Sequence, residues 1–245
     1  NNNGLSGVPV TVNSAGTLSA WADAAGTMAT SQNNPITLNA GALAAVAVGG
    51  LHGGSGFDAS PWLLFPLMML AAALAGALLL LGPALLKSQL GVDEVVTTLL
   101  LNFIVLLLVS AMLDGPMKDP SAMGWPQSVA LQDALQLGKL IERSRVHTGL
   151  IWALVLSLAL WVLLKYTTTG FEIRAVGANA RAAAFAGMPV GWVSVKVALL
   201  SGALAGLAGA IEVAGRTGYV TLDMSPGYGY TGIVVAMLAM LNPLG

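Results

Sequence analysis

The chain has 245 residues, of which 56% are hydrophobic and only 9% are charged, and its formal net charge is -1 at pH 7. Ordinary soluble domains carry roughly 25% charged residues, so this composition excludes a soluble globule and predicts an integral membrane protein. The lack of a basic patch excludes a nucleic-acid partner, and the absence of cysteine excludes disulfides and thiolate chemistry.

The first part of the chain differs from the rest. Residues 1–35 are rich in Asn, Ser, Thr and Gly, and we expect a polar tail there. The segment does not begin with positively charged residues followed by an apolar stretch, so it does not resemble a signal peptide. Residues 36–50 are apolar but short for a helix that must cross roughly 30 Å, so we expect a partial helix.

Four segments are long and apolar enough for complete transmembrane helices: 61–82, 95–113, 150–164 and 192–214. A further apolar helix begins at Thr231 and does not finish a span by Gly245, so we expect the chain to be incomplete at this end. The runs lack the alternation of a barrel. The sequence therefore predicts an all-α, polytopic membrane protein with four full and two partial transmembrane helices in residues 36–245.

The connections between these helices are polar. We expect a short turn at 83–94 and a longer connection at 114–147, in which 131–141 has the apolar spacing of a short amphipathic helix. Lys and Arg are divided equally between the two faces, so the positive-inside rule does not decide the orientation. One face has Lys87, Lys165, Arg174, Arg181 and Lys196, and the other has Lys118, Lys139, Arg143, Arg145 and Arg216.

A short segment between the last two full helices, the knob (residues 170–190), has its own helix signals. Asn179 is a good cap for a helix that begins at Ala180, and Gly187 with Pro189 should end that helix. Its alanines permit close approach of a partner, and Arg174 and Arg181 supply directional contacts. These features fit either a docking element or an ordinary connector.

The same residues carry a family resemblance. Gly-Phe-Glu-Ile-Arg-Ala-Val-Gly-Ala-Asn at 170–179, then Ala182-Ala183 and Gly187-Met-Pro-Val190, resembles the cytoplasmic loop of bacterial ABC-importer permeases of the branched-chain amino acid/ribose/nucleoside type. Segments 85–102, 201–215 and 225–233 are also similar to this family, so the resemblance runs from about Gly41 to Gly245. The acidic residue of the family's loop motif is not present before Ala182-Ala183.

The resemblance implies a function and a set of partners. The chain would be the transmembrane permease subunit of an importer for a nucleoside or simple sugar in the bacterial inner membrane, and it would be no enzyme. A separate ATP-binding cassette subunit would hydrolyse ATP, a second permease subunit would complete the pathway, and an extracytoplasmic substrate-binding protein would deliver the solute. The residues expected to dock the ATPase are Arg174, Asn179, Arg181, Ala182, Ala183 and Gly187.

Four residues are candidates for the substrate pathway, and each has a second interpretation. Asn102 fits a contact with a sugar hydroxyl or with a neighbouring helix. Glu212, near a helix end, fits the pathway or the headgroup level. Tyr228 and Tyr230 fit interfacial anchors or stacking surfaces for a base or sugar.

Other patterns limit the alternatives. Gly202, Gly206 and Gly209 form a face of small residues that favours close helix packing. Gly-Tyr-Gly-Tyr-Thr-Gly at 227–232 is a weak match to a dinucleotide motif, and no phosphate-binding loop, catalytic constellation, cofactor motif or metal-ligand pattern is present. The alternative function is a self-contained secondary transporter or channel. Such a protein needs charged residues within the membrane, and Glu212 and Lys196 are the only candidates in the sequence.

Overall fold

The computed structural model describes residues 29–50, 60–92, 94–120, 122–138, 147–222, 224, 228–239 and 243. Eight α-helices occur within these residues. They are α1 (Ala29–Gly49), α2 (Pro61–Leu90), α3 (Glu94–Asp114), α4 (Gly149–Tyr166), α5 (Thr168–Ala178), α6 (Ala180–Phe185), α7 (Val190–Glu212) and α8 (Tyr228–Leu238). Residues Asp133–Leu135 form a 3-10 helix, and a π-helix at Val213–Thr217 extends α7.

The predicted all-α membrane architecture is confirmed. Four helical segments are long and apolar enough to cross a membrane, namely Trp62–Leu90, Val96–Asp114, Gly149–Tyr166 and Val190–Thr217. They correspond one to one with the four predicted spans. The shorter apolar stretch Thr37–Gly49 lies within α1, which begins at Ala29, so the expected boundary at residue 35 falls inside a helix.

The predicted polar turn at 83–94 is wrong over most of its length. The helix α2 continues through Pro83 and ends only at Leu90. Proline is tolerated inside membrane helices because neighbouring helices and local adjustments satisfy the freed carbonyl. The helix stops where Gly91 adopts a left-handed conformation (φ 65°) and its N–H donates to the Lys87 carbonyl.

The centre of the bundle is the contact of α7 with α1 and α2, and the predicted packing face of α7 is confirmed there. A Cβ atom on Gly206 would overlap the carbonyl oxygen of Ala72 in α2, and one on Gly209 would overlap that of Leu38 in α1. A Cβ on Gly202 would likewise overlap the backbone of α2 at Gly76. Only glycine allows these backbones to approach so closely.

One end of the bundle is covered by the cap (residues 115–120 and 122–138). The amphipathic helix expected at 131–141 is wrong for the described part of that segment, which contains only the 3-10 helix. The backbone bonds instead to the end of α7: Leu131 N–H donates to the Gly218 carbonyl and Leu137 N–H to the Ala214 carbonyl, both at 2.7 Å. Leu131 and Leu135 are nevertheless buried on the bundle.

The knob lies at the opposite end from the cap. Gly191, at the start of α7, lies beside Ser88 near the end of α2, which places the end of α2 on the knob side. The described basic residues therefore divide as the sequence indicates. Lys87, Lys165, Arg174, Arg181 and Lys196 lie on the knob side, and Lys118 and Arg216 lie on the cap side, while Lys139, Arg143 and Arg145 are outside the described residues.

Candidate functional site

The knob begins with a tight corner between α4 and α5. Thr167 caps α5, because its hydroxyl accepts a hydrogen bond from Gly170 N–H at 3.1 Å and donates one to the Leu163 carbonyl at 2.6 Å. Gly170 packs directly on the last turn of α4, where a Cβ atom would overlap the carbonyl oxygen of Leu163. This contact fixes the direction in which α5 leaves the membrane-spanning helix.

The predicted cap and end of the short helix α6 are confirmed. Asn179 Oδ1 accepts a hydrogen bond from Ala182 N–H at 3.0 Å. At the other end Gly187 has φ 82°, its N–H donates to the Ala184 carbonyl, and Met188 N–H donates to the Ala183 carbonyl. This is the Schellman arrangement, which positions the chain to enter α7.

The inner side of the knob has its own apolar core. Ile173 and Val176 of α5 and Ala183 of α6 pack on Val193 and Val197 of α7. Ala183 was expected on the docking surface, but only 4% of it is exposed, so the structure places its side chain inside the knob. Its small size lets α6 lie close to α7.

The outer side of the knob presents basic and aromatic groups. Arg174, Asn179, Arg181, Ala182 and Gly187 are all exposed, as the docking hypothesis requires. The amide oxygen of Asn179 is engaged in the helix cap. The Arg174 Nε donates to the Gly170 carbonyl at 3.4 Å, which holds the start of that side chain along α5.

Sequence reasoning missed two exposed phenylalanines on the knob. Phe185, at the end of α6, is 94% exposed, and Phe171 is also exposed. Phe185 follows Arg181 by one helical turn, so the two side chains share a face. Aromatic and arginine side chains are the residues that most often dominate protein interfaces. The sequence does contain a sign of this exposed aromatic group, because Phe185 is the one aromatic residue in a run of alanines.

An ion pair joins the knob to α7. Lys196 Nζ lies 3.6 Å from Glu172 Oε2, a distance for an ion pair and not for a hydrogen bond. Lys196 lies near the knob-side end of α7, and its side chain reaches this carboxylate. Glu172 was not singled out from the sequence, because the pairing depends on how α5 folds back on α7.

The pathway candidates are found at different depths. Asn102 is half-buried within α3, on the same helix side as the buried Val105 and Val109. Glu212 lies at the cap end of α7, where its Oε1 is 2.6 Å from Arg216 Nη1. Tyr228 and Tyr230 begin α8, and their side chains lie outside the described residues.

Two further features bear on binding. A cavity of about 800 Å³ opens between α2, α4 and α7, and its lining residues, such as Phe65, Trp152 and Leu207, are apolar or aromatic. Its walls suit acyl chains better than a polar solute.

Within the part of the chain that the structure describes, no three His, Cys, Asp or Glu residues are grouped so that they could hold a metal ion.

Comparison with known proteins gives matches over most of the chain. The family model described as "Branched-chain amino acid transport system / permease component" matches residues 14–245, so the similarity begins well before Gly41, the expected start. No solved structure matches significantly.

Three curated relatives illustrate the range of the match. The glucose ABC transporter permease protein of Haloferax volcanii is 40% identical over 71% of this chain and 48% of its own length. The guanosine ABC transporter permease protein of Bacillus subtilis is 35% identical over 78% of this chain and 56% of its own length. A nucleoside ABC transporter permease protein of Lactococcus lactis is 29% identical over 75% of this chain and 52% of its own length. The chain thus spans about half the length of the curated relatives it matches.

Proposed function

Since the chain belongs to the branched-chain amino acid transport permease family, we propose that it is the membrane-spanning subunit of an ATP-binding cassette importer for a nucleoside or a simple sugar. Family membership and four membrane-length apolar helices make it a multi-pass protein of the plasma membrane and a transporter subunit. The relatives named for glucose and guanosine support this choice of solutes.

The observation that carries the proposal is the construction of the knob. Its inner side packs on α7 and its two helices are capped, and its outer side exposes Arg181 and Phe185 on one face. An ordinary connector needs neither an internal core nor a fully exposed aromatic residue. We infer that this surface enters a cleft on a separate ATPase subunit, which makes the knob side cytoplasmic.

The remaining partners follow from the same proposal. A substrate-binding protein would deliver the solute at the cap side, and a second permease subunit would complete the pathway. Closure of the ATPase would displace the knob, and the contacts of the knob with α7 would pass that movement into the membrane.

A secondary transporter or channel is the competing function, and the arrangement of charges does not favour it. Ion-coupled transporters need ionisable groups near the middle of the membrane. Lys196 pairs with Glu172 at the knob side and Glu212 pairs with Arg216 at the cap side, so these charges of α7 lie near its two ends.

Co-purification tests the proposal directly. The permease is expressed in its native host, extracted in detergent and captured by a tag on the permease, and the co-purifying chains are identified. We expect the ATPase to co-purify with the unchanged permease and with the cap-side control Lys118→Glu, and to be lost from Arg181→Glu. A stable permease that retains no ATPase with the knob intact would refute the importer assignment.

A further inference from the structure

A buried asparagine in α1 has an unused hydrogen-bonding group. Asn39 is only 4% exposed, and its Oδ1 is enclosed yet accepts no hydrogen bond in the described part of the chain. Two other buried oxygens share this property, but one belongs to the Glu172 ion pair and the other, on Thr217, lies in the π-helix at the cap end. An unsatisfied buried amide lowers stability, so its presence calls for a physical reason.

Asn39 lies near the middle of the membrane. The end of α1 at Gly49 contacts Leu131 and Leu135 of the cap, so it marks the cap-side surface. At 1.5 Å per residue, Asn39 is about 15 Å below that level, which is half of the roughly 30 Å hydrocarbon thickness. The lipid at this depth offers no hydrogen-bond donor, so a partner for the amide must come from the protein or from the contents of a pathway.

A second asparagine lies at a similar depth on a neighbouring helix. Asn102 is about 18 Å from the cap-side end of α3 at Asp114. The helices α1 and α3 contact each other. Asn39 shares its side of α1 with Val46, Asn102 shares its side of α3 with Val105, and both valines belong to the same core cluster. Both amides therefore lie on the core-facing sides of two helices that contact each other.

We propose that Asn39 is a solute-contacting residue at the midpoint of the pathway, where its amide oxygen accepts a hydrogen bond from a hydroxyl or amino group of the passing solute. Asn102 provides the second polar contact from α3. This inference rests on the proposed importer function and assigns a specificity-determining residue to it. A neutral amide suits a neutral, polyhydroxylated solute, because it binds a hydrogen-bond donor without attracting an ion.

The test compares a solute with an analogue that lacks one donor. Uptake of guanosine and glucose is measured in proteoliposomes that contain the complete transporter, together with uptake of their deoxy analogues. For the solute transported, one deoxy position should reduce kcat/KM by about 3- to 10-fold, the effect of one neutral hydrogen bond. In Asn39→Leu, whose side chain has the same branched arrangement of heavy atoms but no hydrogen-bonding group, the same deoxy analogue should be transported as well as the parent solute.

Stability measurements separate this role from a structural one. Because Asn39 Oδ1 accepts no hydrogen bond, Asn39→Leu breaks none at that atom, and its Tm in detergent should fall only by the cost of fitting the larger side chain. Thr37, also fully buried in α1, makes an interaction of its own. The control Thr37→Val should therefore lower the Tm and keep the discrimination between solute and analogue.

The outcomes distinguish the inference from the proposed function. If the unchanged transporter discriminates against deoxy analogues and Asn39→Leu discriminates equally, the inference about Asn39 is overturned and the importer function stands. If the complete transporter moves no nucleoside or sugar in response to ATP, the proposed function fails and the inference fails with it.

Discussion

Removing the Phe185 side chain should weaken binding of the ATPase without affecting the fold. The ring is 94% exposed, so Phe185→Ala removes almost no packing within the chain, and its free energy of unfolding should change by less than about 0.5 kcal/mol. Full burial of a phenylalanine in a partner's cleft contributes about 1.5–3 kcal/mol. The Kd for the ATPase should therefore rise by roughly 10- to 150-fold.

The affinity can be measured by titrating a fluorescent ATPase subunit into the permease in nanodiscs. Trp125 supplies a matched control, because it is an aromatic residue of the cap that is 70% exposed on the opposite side of the molecule. Trp125→Ala should leave the Kd unchanged. Equal affinities for Phe185→Ala and the unchanged protein would refute the docking surface, and equal losses in both variants would show that the effect is not local.

Two further predictions concern how the helices hold together and transmit movement. Gly206→Ala should lower the free energy of unfolding by about 1–3 kcal/mol because its Cβ would overlap the Ala72 carbonyl. Gly191→Ala, where the nearest atom would be 3.8 Å away, should not lower it, because alanine fits there and favours the helix, and equal thermal melting of the two variants would contradict this packing. Glu172→Gln should reduce ATP-driven uptake while changing stability by less than about 1 kcal/mol, since the Lys196 and Glu172 side chains are 50% and 32% exposed. The exchange Glu172→Lys with Lys196→Glu should restore part of the uptake, and a failure of the exchange to do so would argue against transmission through this pair.

The features that were predicted correctly are those that depend on nearby residues or on composition. Asn179 and Gly187 define a helix by local hydrogen bonds, and those bonds form as expected. The glycines of α7 indicate close packing because small residues at this spacing have few other uses in a membrane. Their partners in α1 and α2 could not be identified, since the sequence does not state which helices become neighbours.

The features that were missed depend on contacts between distant segments. Residues 131–138 have helical apolar spacing, but hydrogen bonds from Leu131 and Leu137 to the end of α7 replace the helix. Ala183 and Phe185 are both apolar members of one short helix, and only the packing of that helix on α7 determines that the first is buried and the second exposed. The unsatisfied oxygen of Asn39 also becomes evident only once the surrounding helices enclose it.

The helix α7 connects the proposed docking surface with the proposed solute contact. At the knob end it is held by the apolar core around Val193 and by the Glu172 ion pair. At its middle, Gly206 lies against the backbones of both α1 and α2, at Gly41 and Ala72, without intervening side chains. Backbones in direct contact leave little room for one helix to shift alone, because packed interiors transmit strain. A displacement of the knob should therefore move α7 together with α1, and so change the surroundings of Asn39.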